Sequence, residues 1–191
     1  MEILGGTAKG MNLKVPAGRE VRPTSVRSRR ALFDMLGDLT GKRFCDLFAG
    51  SGAVGIEAAS RGAGHVLFAE DSPQALSAVR DNVKRVQAAC PETLFQIVPG
   101  TLPNSLRKLT AAAPGPDLIF ADPPYAESAE LLDALLNRDD FSEWADEALI
   151  LWELPNYRSQ LKVFPPHWRL RAVRDLGASR FLLIERVKTA E

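Results

Sequence analysis

Short continuous apolar runs alternate with helix-length amphipathic segments along most of the chain. From residue 43 onward the pattern predicts strand 43–48, helix 53–61, strand 65–70, helix 73–88, strand 94–98, helix 102–110, strand 117–122 and helix 127–137. Runs such as His65-Val-Leu-Phe-Ala-Glu70 are apolar throughout rather than at every second position. That argues for strands buried on both faces, hence an α/β fold with a mostly parallel sheet between helices. Three more strand patterns follow at 148–154, 168–174 and 180–187, the last two spaced as an antiparallel hairpin turning at Gly177. Ahead of the alternating region, residues 2–4 and 11–15 read as a small hairpin interrupted by Gly5, Gly6 and Gly10. A helix capped by Thr24 or Ser25 then runs to about Leu36, with Phe33 and Leu36 inward and Arg27, Arg29 and Arg30 on a basic outer surface.

With 191 residues, the chain sits near the upper end of one ordinary domain and can bury a substantial core. No stretch approaches the roughly 18 consecutive apolar residues of a membrane span, and the start lacks a basic and then apolar leader, so a cytoplasmic location is expected. Cys45 and Cys90 show no Cys-x-x-Cys spacing and are joined only by His65 and His167, so the cysteines are expected as reduced packing residues and no metal is expected. The formal net charge of zero hides a segregation. Residues 1–43 hold nine Lys/Arg against four Asp/Glu, and the remainder carries the opposite imbalance. This suggests a basic extension over residues 1–40 able to meet phosphates, mounted on a body, 41–191, that repels them.

Two motifs carry candidate chemistry. Asp117-Leu-Ile-Phe-Ala-Asp122-Pro123-Pro124-Tyr125 delivers a carboxylate, two rigid prolines and an aromatic ring to the end of one strand. An aromatic face can stack on a base, and a carboxylate can accept a hydrogen bond from an exocyclic amine. The second motif is Asp46-Leu-Phe48-Ala49-Gly50-Ser51-Gly52-Ala-Val-Gly55, a glycine-rich turn between a strand and a helix. Glu70 ends the next strand, twenty positions after Gly50, where an acid can take both hydroxyls of an adenosine ribose. The glycine spacing also fits a dinucleotide. Asp46 weighs against a pyrophosphate and favours a cationic donor such as S-adenosylmethionine, with its ammonium and sulfonium.

Together the motifs resemble those of amino-group methyltransferases. Gly5-Gly-Thr-Ala-Lys-Gly-Met-Asn-Leu-Lys-Val-Pro, with Arg22-Pro-Thr-Ser-Val-Arg-Ser-Arg-Arg-Ala-Leu-Phe and the glycine-rich turn, narrows this to a resemblance to the RsmD family. The resemblance implies a Rossmann-like class I methyltransferase fold: seven strands, the last inserted antiparallel, plus an N-terminal hairpin and helix. It implies methylation of the N2 amine of a guanine in 16S ribosomal RNA, with S-adenosylmethionine as cofactor and a partly assembled small subunit as partner. It places Asp46, Phe48, Ala49, Gly50, Ser51, Gly52, Gly55, Glu70 and Asp71 at the donor, and Asp122 to Tyr125 at the reacting amine. Lys9, Lys14, Arg22, Thr24, Arg27 and Arg30 face RNA. Many relatives carry an acid near the adenine amine after the third strand, whereas this chain reads Val98-Pro-Gly-Thr101, so adenine recognition falls to backbone atoms or Thr101. A DNA adenine-N6 or cytosine-N4 methyltransferase shares the tetrapeptide but normally adds a target-recognition domain, for which this length has no room. A non-catalytic RNA-binding assembly factor is the other alternative. Asn82, Ser60-Arg61-Gly62 and the three tryptophans are read as structural, and Glu153 as either a hydrogen-bonding anchor or a surface charge.

Overall fold

The computed structural model describes residues 1–16, 26–155, 164–176 and 179–188. Thr24, Ser25 and Gly177, assigned above to a cap and a turn, and Arg22 lie outside them. The elements are α1 (Val26–Leu36), β1 (Arg43–Leu47), α2 (Ala53–Ser60), β2 (His65–Glu70), α3 (Pro73–Val86), β3 (Leu94–Pro99), α4 (Leu106–Ala112), β4 (Leu118–Ala121), α5 (Ser128–Leu136), α6 (Asp139–Trp144), β5 (Leu149–Pro155), β6 (Trp168–Leu176) and β7 (Ser179–Arg186). They build one seven-stranded sheet in the order β3-β2-β1-β4-β5-β7-β6. β7 runs antiparallel between β5 and β6, and the other pairs are parallel. This is the topology of the class I methyltransferase sheet.

The continuous apolar runs find their reason in two cores, one on each face of the sheet. Phe44, Val66, Phe68 and Phe120 point into one, and Cys45, Leu67, Ile119 and Ala121 into the other. The chain order reverses between β1 and β4, where adjoining loops diverge and leave a crevice at the carboxyl ends of the strands.

The expected N-terminal hairpin is present in short form: Met1 and Ile3 exchange backbone bonds with Gly10, Met11 and Leu13 around the antiparallel bridge between Glu2 and Asn12. Two details of the helices differ from expectation. The fourth helix begins at Leu106, after a turn through Pro103, rather than at residue 102. Helix α6 was unforeseen; its six residues are too few to show a period. Among the described residues no helix is long and apolar enough to cross a membrane.

Candidate active site

The glycine-rich turn is locked from behind. Asp46 is 2% exposed, and its Oδ2 accepts the Gly55 N–H at 2.9 Å, satisfying a helix N-terminus with a buried carboxylate. Burial pushes that carboxyl well above the usual range, the Gly55 N–H opposes the shift, and the nearby charges of Asp122 and Glu70 add to it. A β-carbon on Gly55 would lie 2.4 Å from a Phe68 ring carbon, so only glycine lets α2 close onto β2. Glu70 Oε2 accepts the Gly50 N–H at 2.7 Å while Oε1 accepts those of Asp71 and Ser72 at 3.1 and 2.9 Å. Phe48 leaves β1 at φ 62°, a left-handed conformation uncommon for a bulky residue, and packs edge-on to Trp152 at 6.0 Å.

On the neighbouring strand, Pro123 is buried while Pro124 and Tyr125 are exposed. The Tyr125 hydroxyl donates to Glu153 Oε1 at 3.5 Å, and Glu153 is itself 2% exposed at the end of β5. Glu153 is therefore an internal anchor and not a surface charge. Ser128, at the start of α5, donates to the Glu153 carbonyl and accepts from the Trp152 indole, which ties the loop to β5. Tryptophans 144, 152 and 168 are all core residues with their indole N–H groups bonded.

The two loops share one cavity of about 590 Å³. Phe48, Gly50, Glu70, Asp71 and Thr101 line it together with all four residues Asp122 to Tyr125. Asp46, Ala49, Ser51, Gly52 and Gly55 are buried and are not among the lining residues. Thr101 donates to Asp71 Oδ2 at 3.4 Å, so these two form a polar corner beside Gly100. The lining holds four carboxylates, Glu70, Asp71, Asp122 and Glu127, and no lysine, arginine or histidine among the described residues.

Residues 1–185 match the profile of the protein family described as Conserved hypothetical protein 95. The chain belongs to this family, the RsmD family. Over its whole length it is 30% identical to Ribosomal RNA small subunit methyltransferase D of Escherichia coli (strain K12), 92% of which is matched. Over 77% of its length it is 36% identical to YlbH of Bacillus subtilis (strain 168), across 78% of that protein. The solved structure of hypothetical protein TTHA0928 from Thermus thermophilus matches with a TM-score of 0.73 at 31% identity, covering 98% of this chain and 99% of that one.

Among the described residues, the basic side chains of this RsmD-family chain stay outside the cavity. Lys9, Arg27 and Arg30 are exposed, and the Lys14 ammonium lies 2.6 Å from Asp81. Arg29 is not on a basic surface. It is 1% exposed, donates to the Glu2 carbonyl at 2.6 Å, and is depressed by burial, which nearby Glu57 opposes. Its place on the same helical stripe as Leu32 and Phe33 was the available signal. Ser60, Arg61 and Asn82 do more than cap or fill. Ser60 accepts from Thr7 and Ala8 and donates to Gly5, so the N-terminal segment is strapped to α2. Glu57, paired with Arg61 at 2.9 Å, adds the Leu4 N–H to that strap. Gly6 passes so close that a β-carbon there would meet the Ser60 carbonyl oxygen at 1.7 Å. The strap delivers Pro16, which sequence reading passed over, to the cavity wall.

Proposed function

We propose that this chain transfers a methyl group from S-adenosylmethionine to the exocyclic N2 amine of a guanine in small-subunit ribosomal RNA. The observation that carries this reading is a cavity lined by four carboxylates and no basic side chain among the described residues, joining the Gly50–Glu70 cradle to the Asp122–Tyr125 loop. A pyrophosphate would be repelled there, whereas a ligand bearing an ammonium and a sulfonium would be drawn in. The volume suits a cofactor of that size, since small-molecule sites run from about 300 to 1,000 Å³. The name of the E. coli relative, and the exposed basic residues outside the pocket, support ribosomal RNA as the acceptor.

S-adenosylmethionine would supply a methyl group already activated by its positively charged sulfur. Glu70 keeps one lone pair, on Oε2, for a ribose hydroxyl beyond those given to Gly50, Asp71 and Ser72. Asp71, Thr101 and the adjoining backbone receive the adenine. Asp122 and the Pro123 carbonyl accept the two protons of the amine, and the face of Tyr125 stacks on the purine. An aromatic amine is a poor nucleophile because its lone pair is delocalised. Two fixed acceptors favour rehybridisation and aim that lone pair at the methyl carbon, so alignment and electrostatics supply most of the acceleration. The amine proton departs after transfer, and no strong general base is required. Residues 1–40 provide the RNA-facing side, with Lys9, Lys14, Arg22, Thr24, Arg27 and Arg30 meeting phosphates without reading sequence, so affinity falls as salt rises.

The test offers labelled methyl donor to small ribosomal particles lacking the modification and maps the labelled base. Label at a guanine N2 is expected; label on adenine, or none, overturns the reading. Asp122→Ala should lower transfer by about 100-fold or more while RNA binding persists. Undiminished transfer would remove Asp122 from the chemistry.

A further inference from the structure

Asn82, in the middle of α3, is fully buried, and its amide joins two separate parts of the chain. Nδ2 donates to the Lys14 carbonyl and the Ser51 carbonyl, each at 2.9 Å, and Oδ1 accepts the Lys14 backbone N–H at 2.7 Å. The pairing with both backbone groups of Lys14 imitates a neighbouring strand. Its orientation is fixed by chemistry, because the reversed amide would set its oxygen against two carbonyls and its NH2 against an N–H. Lys14 belongs to the N-terminal strap and Ser51 to the glycine-rich turn. Two residues beyond Lys14, Pro16 is buried in the cavity lining. Glu57 and Ser60 fasten the strap at residues 4 to 8, so Asn82 is its buried side-chain anchor next to the cavity, with the exposed Lys14–Asp81 ion pair beside it.

We propose that Asn82 is a positioning residue that holds Pro16 as a wall of the donor cavity and sets that wall against the glycine-rich turn. This rests on the cavity being the S-adenosylmethionine site. Asn82 touches no substrate; it acts through the strap. Removing its amide leaves the Lys14 backbone groups and the buried Ser51 carbonyl without those bonds and lets the wall recede, so donor affinity should fall about tenfold. The KM for donor should rise with kcat nearly kept, a split that general loss of stability does not produce.

The test is a double-mutant cycle on S-adenosylhomocysteine binding, using wild type, Asn82→Ala, Pro16→Gly and the pair. The expected result is a combined loss clearly smaller than the product of the single losses, because a wall already released has little left to lose. Independent effects, or unchanged affinity in folded Asn82→Ala, overturn the proposal. Should Asn82→Ala fail to fold, hydrogen exchange on the wild type decides. The Lys14 amide should exchange more slowly once S-adenosylhomocysteine is bound, and an unaltered rate sinks the idea. Wild type that binds no S-adenosylhomocysteine removes the cofactor reading itself, whereas binding with independent effects removes only the role of Asn82.

Discussion

The loops that follow β1 and β4 leave the same rim of the sheet from paired strands, Leu47 beside Ala121, yet they are built in opposite ways. The glycine-rich turn is sealed. Asp46 holds Gly55, Glu70 holds Gly50, Asn82 holds Ser51, and a β-carbon on Gly52 would lie 3.3–3.4 Å from Phe68 and Val79. The tetrapeptide loop keeps Pro123 inside but leaves Pro124 and Tyr125 open to solvent, and the contact of the Tyr125 hydroxyl with Glu153 is long at 3.5 Å. The contrast matches the two reagents. A small diffusible donor gains from a cradle whose dipoles are already in place, while a nucleotide attached to a large polymer needs a wall that can be approached from outside.

The strongest way to break the closed half is Gly55→Ala. The added carbon would meet Phe68 at 2.4 Å and Val66 at 2.9 Å, and Phe68 is fully buried with Phe95 stacked 6.4 Å away, so it has little room to yield. Overpacking of this kind costs about 1–3 kcal/mol, or a fall in Tm of about 2–12 °C for a chain of this size, with weakened donor binding. Pro124→Ala in the open half should cost less than about 1 kcal/mol, through unfolded-chain entropy. Thermal melts of the two variants decide; equal losses would erase the distinction between the loops.

Asp46→Asn sharpens it next. Because the folded carboxyl lies above its ordinary value of 3.8, the native state holds a proton that the unfolded chain has released across the window between the two values. Stability contributed by this group is therefore present at low pH and falls as pH rises through that window. The asparagine keeps an acceptor for Gly55 and discards the buried charge, so Tm at neutral pH should rise by about 2–4 °C and lose this pH slope. A cationic occupant reverses the sign. It favours the carboxylate, so donor affinity in wild type should increase with pH while the variant binds weakly at every pH. A variant less stable than wild type at neutral pH would mean that the buried charge is fully compensated in the fold.

These asymmetries explain what the sequence could and could not disclose. β1, β2 and β4 were legible because burial on both faces leaves unbroken apolar runs, and the two motifs sit at their ends. The bonds of Asn82, Ser60 and Arg29 were not, since each is a polar residue whose partner lies 27 to 68 positions away, although the stripe shared with Leu32 and Phe33 did mark Arg29 as inward. The hairpin itself was legible, but its fastening to the body was not: Leu4, Ala8 and Lys14 give their N–H groups to side chains of α2 and α3, which no local period records. Glu153 could be placed at the rim by its strand, but its orientation came only with the Tyr125 contact.

The smallest expected effect concerns that contact. Tyr125→Phe deletes a hydroxyl bond at the outer limit of hydrogen-bond length and keeps the ring, so kcat/KM for RNA should fall only about two- to threefold. Tyr125→Ala removes the face on which a base would stack, worth about 1–3 kcal/mol, and should raise the KM for RNA about 5- to 150-fold. The ratio between the two variants measures how far the loop acts as an open platform. Were Phe as damaging as Ala, the hydroxyl and not the face would be the working part, and Glu153→Gln should then reproduce the defect. The tetrapeptide loop would in that case be held as tightly as the glycine-rich turn, and its exposure would no longer explain how a polymer reaches the site.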